Sequence, residues 1–234
     1  MPITVEVVDG TADDIASVFA YFMRVDERYS TYKRSSEISQ INDGLAKNKW
    51  SKEMRLVLDL CEETKCTTNG YFDIEFEGKL DPSGLVKGWA INNAAQLLLD
   101  RGVRNFYIEA GGDIQSYGMN DAHEPWTIGI RNPFNTNEII KVISLTNQGI
   151  ATSGTYIRGQ HIYNPLRAKQ EVHSVKSLTV VGDNVYEADR FATAAFAMGP
   201  SGISFIESTQ GLDGYMVDNE SIATMTSGFD RYVV

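Results

Sequence analysis

EADRFATAAFAMG, residues 187–199, is the stretch from which the rest of the chain is best read. Asp189 and Thr193 are four residues apart, so on an α-helix they stack on one face, one turn from each other. Around them Phe191, Ala192, Ala194, Ala195, Phe196 and Met198 leave almost no polar surface, which predicts a helix buried nearly all round. An unpaired buried charge is expensive, so the carboxylate and hydroxyl need partners. Two readings are open on these residues. In one, Asp189 sits near the helix N-terminus against the dipole, with Arg190 its solvated neighbour. In the other, Asp189 and Thr193 give two hard oxygen ligands to Mg²⁺, a cation that keeps waters or phosphates at its remaining positions.

Working outward, residues 176–182 predict a strand feeding this helix, and residues 200–234 predict one short helix and two or three strands. Upstream, residues 149–165, GIATSGTYIRGQHIYNP, gather Thr152, Ser153, Gly154, Tyr156, Arg158 and His161 between short β-rich runs. Residues 126–131 and 141–145 alternate like half-buried strands. Residues 105–109 and 114–117 flank Ala110-Gly111-Gly112-Asp113; paired glycines between strands make a hairpin turn and also let a backbone approach a ligand closely. In LDPSGLVKGWA, residues 80–90, Pro82, Ser83 and Gly84 predict a tight turn, with Lys87 and Gly88 opening a helix that runs to Gly102. Such a helix start suits a phosphate, although the spacing is not that of a Walker loop.

The N-terminal part reads as a strand over residues 3–8, then a helix capped by Thr11 with Ile15, Val18, Phe19, Phe22 and Val25 at helical spacing. Residues 29–42, YSTYKRSSEISQIN, are polar; the second half predicts a short helix capped by Ser35 or Ser36. Tyr29 and Tyr32 there make either a half-buried lid or an aromatic wall for a planar ligand. Residues 51–68 predict an amphipathic helix with Met54, Leu58 and Cys61 on one stripe, stopped by Asn69-Gly70.

The 234 residues can bury a sizeable core, and 42% apolar with 22% charged is ordinary for a globular chain. A net charge of −10 argues against nucleic acid or an anionic membrane surface as partner. No window is apolar enough to span a membrane and no signal-peptide pattern opens the chain, so a cytoplasmic location is expected. Cys61 and Cys66 lie five apart without clustered histidines, which fits neither a disulfide framework nor zinc. With no internal repeat, low-complexity segment or linker, one α+β domain over residues 1–234 is expected, with mostly antiparallel sheets packed on helices.

Taken in order, STYKRSSEISQIN, NGYFDI, LDPSGLVKGWA, EAGGDI, WTIGI, IATSGTY, HIYNP and ADRFATAAFAMG resemble the ApbE-type FAD:protein FMN transferases across residues 25–214. The resemblance implies an enzyme that uses FAD and Mg²⁺ to place FMN on a Thr or Ser hydroxyl of an acceptor flavoprotein, with release of AMP. An FAD pyrophosphatase giving FMN and AMP, or a non-catalytic flavin-binding protein, is the alternative. By the same resemblance the metal ligands are Asp189, Thr193 and the Gly84 carbonyl. The FAD-binding positions are Tyr32, Tyr71, Phe72, Asp73, Asp81, Lys87, His161 and Ile162, with the backbone closing round the cofactor at Gly111 and Gly112 and at the turn of Thr152, Ser153 and Gly154. His161, which titrates near neutrality, is the candidate to orient or deprotonate the attacking hydroxyl, with Asp189 or Asp73 as substitutes. The chain departs from the family pattern in lacking a Met-Gly-Thr opening and in an insert cut to residues 75–79. The hairpin between Tyr156 and His161 is shortened, and Asn164 stands where an Asp is usual. These trims bear on acceptor recognition more than on the metal. The oligomeric state is not specified.

Overall fold

The computed structural model describes residues 1–155, 162–167 and 170–234. Strand β1 (Ile3–Val7) turns its apolar alternates inward and leads to helix α1 (Ala12–Tyr29). A reciprocal cap starts α1: the Thr11 hydroxyl accepts from Asp14 N–H at 3.4 Å, and the Asp14 carboxylate accepts from Thr11 N–H at 2.8 Å. Helix α2 (Glu37–Asn42) begins at Ser36, the second of the two expected caps, and α3 (Lys52–Thr67) begins at Ser51. Glu37 joins them, because its carboxylate accepts from both the backbone and the hydroxyl of Ser51 at 2.5 and 2.7 Å. Asn69 and Gly70 then take positive φ, 51° and 84°, and end the helix as the sequence signals.

The short pair β2 (Glu75–Phe76) and β3 (Lys79–Leu80) occupies the trimmed segment as a hairpin, with Glu77 and Gly78 at positive φ in its two-residue turn. Helix α4 (Ser83–Asp100) follows. It starts four residues before the Lys87 expected from sequence, with Pro82 at its N-cap and Asp81 accepting the Ser83 N–H at 3.0 Å. Pro82 cannot donate and an N-cap needs no donor, so Ser83 and Gly84 form the first helical turn rather than a separate bend.

Strands β4 (Phe106–Ala110) and β5 (Asp113–Tyr117) pair through the two-glycine turn, with Gly111 and Gly112 at φ 62° and 95°. The ribbon β6 (Trp126–Arg131) and β7 (Ile139–Leu145) comes next, then β8 (Gly149–Gly154). Thr152, Ser153 and Gly154 therefore lie in a strand, opposite Thr179, Leu178 and Ser177, and not in the turn expected of them. The ladder to β11 holds their backbone extended. A small pair β9 (Tyr163–Asn164) and β10 (Gln170–Glu171) precedes β11 (Val175–Gly182), α5 (Val185–Ala197), α6 (Gly202–Ser208), β12 (Leu212–Asp218) and β13 (Ala223–Met225).

Seven strands make one sheet in the order β1-β4-β5-β8-β11-β12-β13, and every described pairing in it is antiparallel. Its first and last strands come from opposite ends of the described chain. One face carries the helices: Phe106 and Ile108 meet α1, α3 and α4, while Leu178 and Val180 meet α5 and α6. On the other face the β6–β7 ribbon covers Ile150, Val181, Tyr215 and Val217. Strand β11 is thus covered on both sides, and every residue of it except Lys176 is buried. No described helix is long and apolar enough to cross a membrane.

Candidate active site

The site is built where α4 crosses α5. A side chain at Gly88 would place its Cβ 2.5 Å from Asp189 Cβ and 2.7 Å from the Val185 carbonyl, so glycine is what lets the two helices touch. The start of α5 is in turn tied to the sheet. Its N-cap Asn184 accepts from Glu187 N–H at 2.9 Å, and the buried Gln115 of β5 accepts from Val185 N–H at 2.8 Å. Asp189 is consequently in the second turn of a fixed helix and only 2% exposed.

Its carboxylate is held on both oxygens. Oδ2 accepts from Gly88 N–H at 2.7 Å, and Oδ1 lies 3.3 Å from Lys87 Nζ. The same ammonium forms a closer ion pair with Asp113 Oδ2, and Asp113 is 1% exposed with Oδ1 accepting from Thr152 N–H at 3.1 Å. One turn along α5, Thr193 Oγ1 donates to the Gly84 carbonyl at 3.4 Å. Two buried carboxylates therefore face one ammonium. Burial pushes the Asp189 carboxyl up to about 7, against the pull of Lys87 and with the Asp113 charge adding to the rise.

This donor set suits a hard divalent cation, since a carboxylate, a hydroxyl and a carbonyl are all oxygen donors and Lys87 alone faces the two carboxylates of Asp113 and Asp189. Among the described residues no three His, Cys, Asp or Glu side chains converge as an alternative site.

The Asp189–Thr193 face opens into a cavity of about 990 Å³ between the helices, the sheet and the β2–β3 hairpin. Of the residues singled out in the sequence, Tyr71, Phe72, Asp73, Asp81, Gly84, Lys87, Gly111, Thr152, Ser153, Ile162, Asp189 and Thr193 line it. Gly112 faces a second cavity of about 500 Å³ on the far side of the turn. Tyr32 is 96% exposed and lines neither cavity; Thr31 and Arg34 of its loop line the large one in its place. His161 lies outside the described residues, as do Tyr156 and Arg158. Asp73 and Asp81 also have structural work. Asp73 accepts from Glu75 N–H at 3.0 Å and pairs with Lys65 at 2.9 Å, and Asp81 begins α4, so together they frame the hairpin beside the cavity.

Three features went unread in the sequence. Asp113 was taken only as the end of a glycine turn, although a carboxylate directly after such a turn is forced to the first position of a strand. The Phe76 and Tyr163 rings, 4.8 Å apart and tilted, add to Tyr71 and Phe72 in the cavity wall; nothing in a two-residue strand announces this. Arg190, a solvated neighbour of Asp189 in one of the two readings of the helix, is 7% exposed. It donates to Glu187 at 2.7–3.0 Å and to Thr64 Oγ1 at 3.0 Å, and lies over the Tyr186 and Phe191 rings. Glu187, one turn before it, neutralises it and makes burial tolerable.

Curated relatives share 29% identity over 150 residues with this chain. They include the FAD:protein FMN transferases of Klebsiella pneumoniae (strain 342) and Escherichia coli (strain K12), each match covering 60% of this chain and 43% of the relative. The chain thus matches less than half the length of these relatives. Among solved structures, the flavin transferase ApbE from Vibrio cholerae superposes with a TM-score of 0.85 at 21% identity, covering 98% of this chain and 95% of that one. The flavinyl transferase ApbE of Pseudomonas stutzeri, in its apo form, gives 0.83 at 21% identity, covering 98% and 92%. At such identity these likenesses speak for the fold. The ApbE family model itself matches residues 1–78 and 75–216, and its two matches meet in the β2–β3 hairpin, where the sequence shows a shortened insert. With a match that leaves out only the last strand and tail, this chain belongs to the ApbE family.

Proposed function

We propose that this protein transfers FMN from FAD to a Thr or Ser hydroxyl of an acceptor protein, releasing AMP. The observation that carries the reading is the junction of the large cavity with the Asp189, Thr193 and Gly84 oxygens beside Lys87. A cavity of about 990 Å³ is at the upper end for small-molecule sites and suits a dinucleotide. The names carried by the relatives support the same chemistry. In the reaction the acceptor oxygen bonds to the FMN-side phosphorus as the anhydride bond breaks, and the electron pair of that bond leaves with AMP.

Mg²⁺ held by Asp189, Thr193 and the Gly84 carbonyl would offset charge on the diphosphate. The chain's own residues supply the rest. Lys87 brings a positive charge to the cavity wall, Phe76 and Tyr163 offer a ring surface, and the strand backbone at Thr152 and Ser153 bounds the pocket. His161 is the proposed acceptor of the hydroxyl proton. Tyr71, Phe72, Asp73, Asp81, Gly111 and Ile162 are the proposed further cofactor contacts, whereas Tyr32 and Gly112 lack a place on the cavity wall.

The test is to incubate the protein with FAD, Mg²⁺ and Thr-containing acceptor domains. An FMN-sized mass increase on the acceptor with stoichiometric AMP is expected. FMN and AMP without labelled acceptor would mark a pyrophosphatase, and intact bound FAD a binding protein.

A further inference from the structure

We infer that Asp113 is a positioning residue that draws Lys87 toward itself and so weakens its hold on Asp189, leaving Asp189 available to a divalent cation. The inference rests on the reading of Asp189, Thr193 and the Gly84 carbonyl as a cation site. Lys87 Nζ has two carboxylates within reach, the closer contact being to Asp113 Oδ2 and the longer, 3.3 Å, to Asp189 Oδ1. An ammonium and a metal ion compete for the same carboxylate lone pairs, so a lysine beside a cation site needs a second anion to occupy it.

Asp113 is built for that task. The two-glycine turn delivers it as the first residue of β5, and the Thr152 N–H of β8 fixes its Oδ1 at 3.1 Å. Oδ2 is turned to the Lys87 ammonium. At 1% exposure the Asp113 carboxylate is itself shielded from water. Asp189 has its own claim on neutral partners through Gly88 N–H at 2.7 Å, so it keeps its place without the lysine. Remove the Asp113 charge, and among the described residues Asp189 is the buried carboxylate that still forms an ion pair with Lys87.

The experiment is calorimetric titration of Mg²⁺ into the full chain without FAD, for wild type, Asp189→Asn, Asp113→Asn, Lys87→Met and the Asp113→Asn/Lys87→Met pair. Asn at 113 keeps an oxygen for Thr152 N–H. The wild type should bind Mg²⁺ and Asp189→Asn should lose it; if the wild type does not bind, the cation reading fails and this inference with it. Given binding, Asp113→Asn should weaken affinity by about 10-fold or more, on the scale of outer-sphere partners of metal ligands. Lys87→Met should tighten it. The Asp113→Asn change should cost at least about 10-fold less when Lys87 is already Met, because the competitor is gone. An equal or larger loss in the Met background would make Asp113 a direct ligand and overturn the positioning role. Unchanged affinity in Asp113→Asn would overturn it too, while leaving the cation site standing. Should Asp113→Asn fail to fold by circular dichroism, Lys87→Met decides: affinity no tighter than wild type overturns the inference.

Discussion

At the scale of single residues, the site depends on atoms that are absent as much as on those present. Gly88→Ala must push Asp189 Cβ and the Val185 carbonyl away from distances of 2.5 and 2.7 Å, and one of these is backbone. The expected outcome is a loss of about 1–3 kcal/mol in denaturant unfolding, with a weaker Mg²⁺ response because Asp189 is displaced. An unchanged midpoint would show that α4 and α5 have slack. Asp189→Asn and Thr193→Val should both fold. Lys87 and Asp113 remain a balanced pair when the Asp189 charge goes, and Val fills the volume of Thr. Each should raise the Mg²⁺ needed for half-maximal AMP release, Asp189→Asn more, because a hard cation draws most on the formal charge. A large fall in melting temperature with an unshifted Mg²⁺ midpoint would return both residues to a structural role. His161→Gln keeps hydrogen-bonding capacity but cannot titrate, so AMP release should fall by about 10²-fold with FAD affinity retained. Equal turnover would remove it from the reaction, and His123 and His173 are the controls.

At the scale of elements, helices are fastened to one another through their caps. The Asp14 carboxylate serves two: it completes the cap of α1 and receives the Arg101 guanidinium from the C-terminal end of α4. Arg101 first, then Thr11, holds the Asp14 carboxyl at about 2, below its ordinary 3.8. A folded value below the unfolded one means a stabilisation that is present above about pH 4 and lost as pH falls through about 2. Asp14→Asn should therefore melt lower than wild type at pH 7, and the gap should close between pH 4 and pH 2. A constant gap across that range, followed by calorimetry, would separate the helix–helix contact from the charge. The Glu37–Ser51 bond between α2 and α3 works in the same way, with one carboxylate belonging to two elements.

For the whole molecule, the sheet divides the labour between its faces. The cavity lies on the helical side, while the β6–β7 ribbon and Phe229 close an apolar layer on the other. Phe229 has no exposure and sits 5.6 Å from the Tyr215 ring, so Phe229→Ala should cost about 3–5 kcal/mol. In a chain of this length that amounts to a fall of roughly 10 °C in melting temperature. FAD affinity measured well below the transition should not change. A weakened affinity in step with stability would mean that the outer layer shapes the cavity through the sheet.

Local order along the chain was legible in the sequence. Caps at Thr11 and Ser36, the stop at Asn69-Gly70, the glycine hairpin and the buried helix all follow from short-range chemistry: which side chain can reach which backbone group, and which faces are apolar. The ordered motifs likewise pointed to the ApbE family. Where sequence reasoning went astray, long-range contacts had decided. Thr152 to Gly154 are extended because β11 pairs with them. Arg190 is buried because Thr64, in another helix, receives it. The pairing of Lys87 with Asp113 joins residues that a strand, a turn and a helix separate, so periodicity carries no sign of it. Sequence specifies what each segment can bury or bond locally; only the packed sheet and helices decide which distant charge answers which.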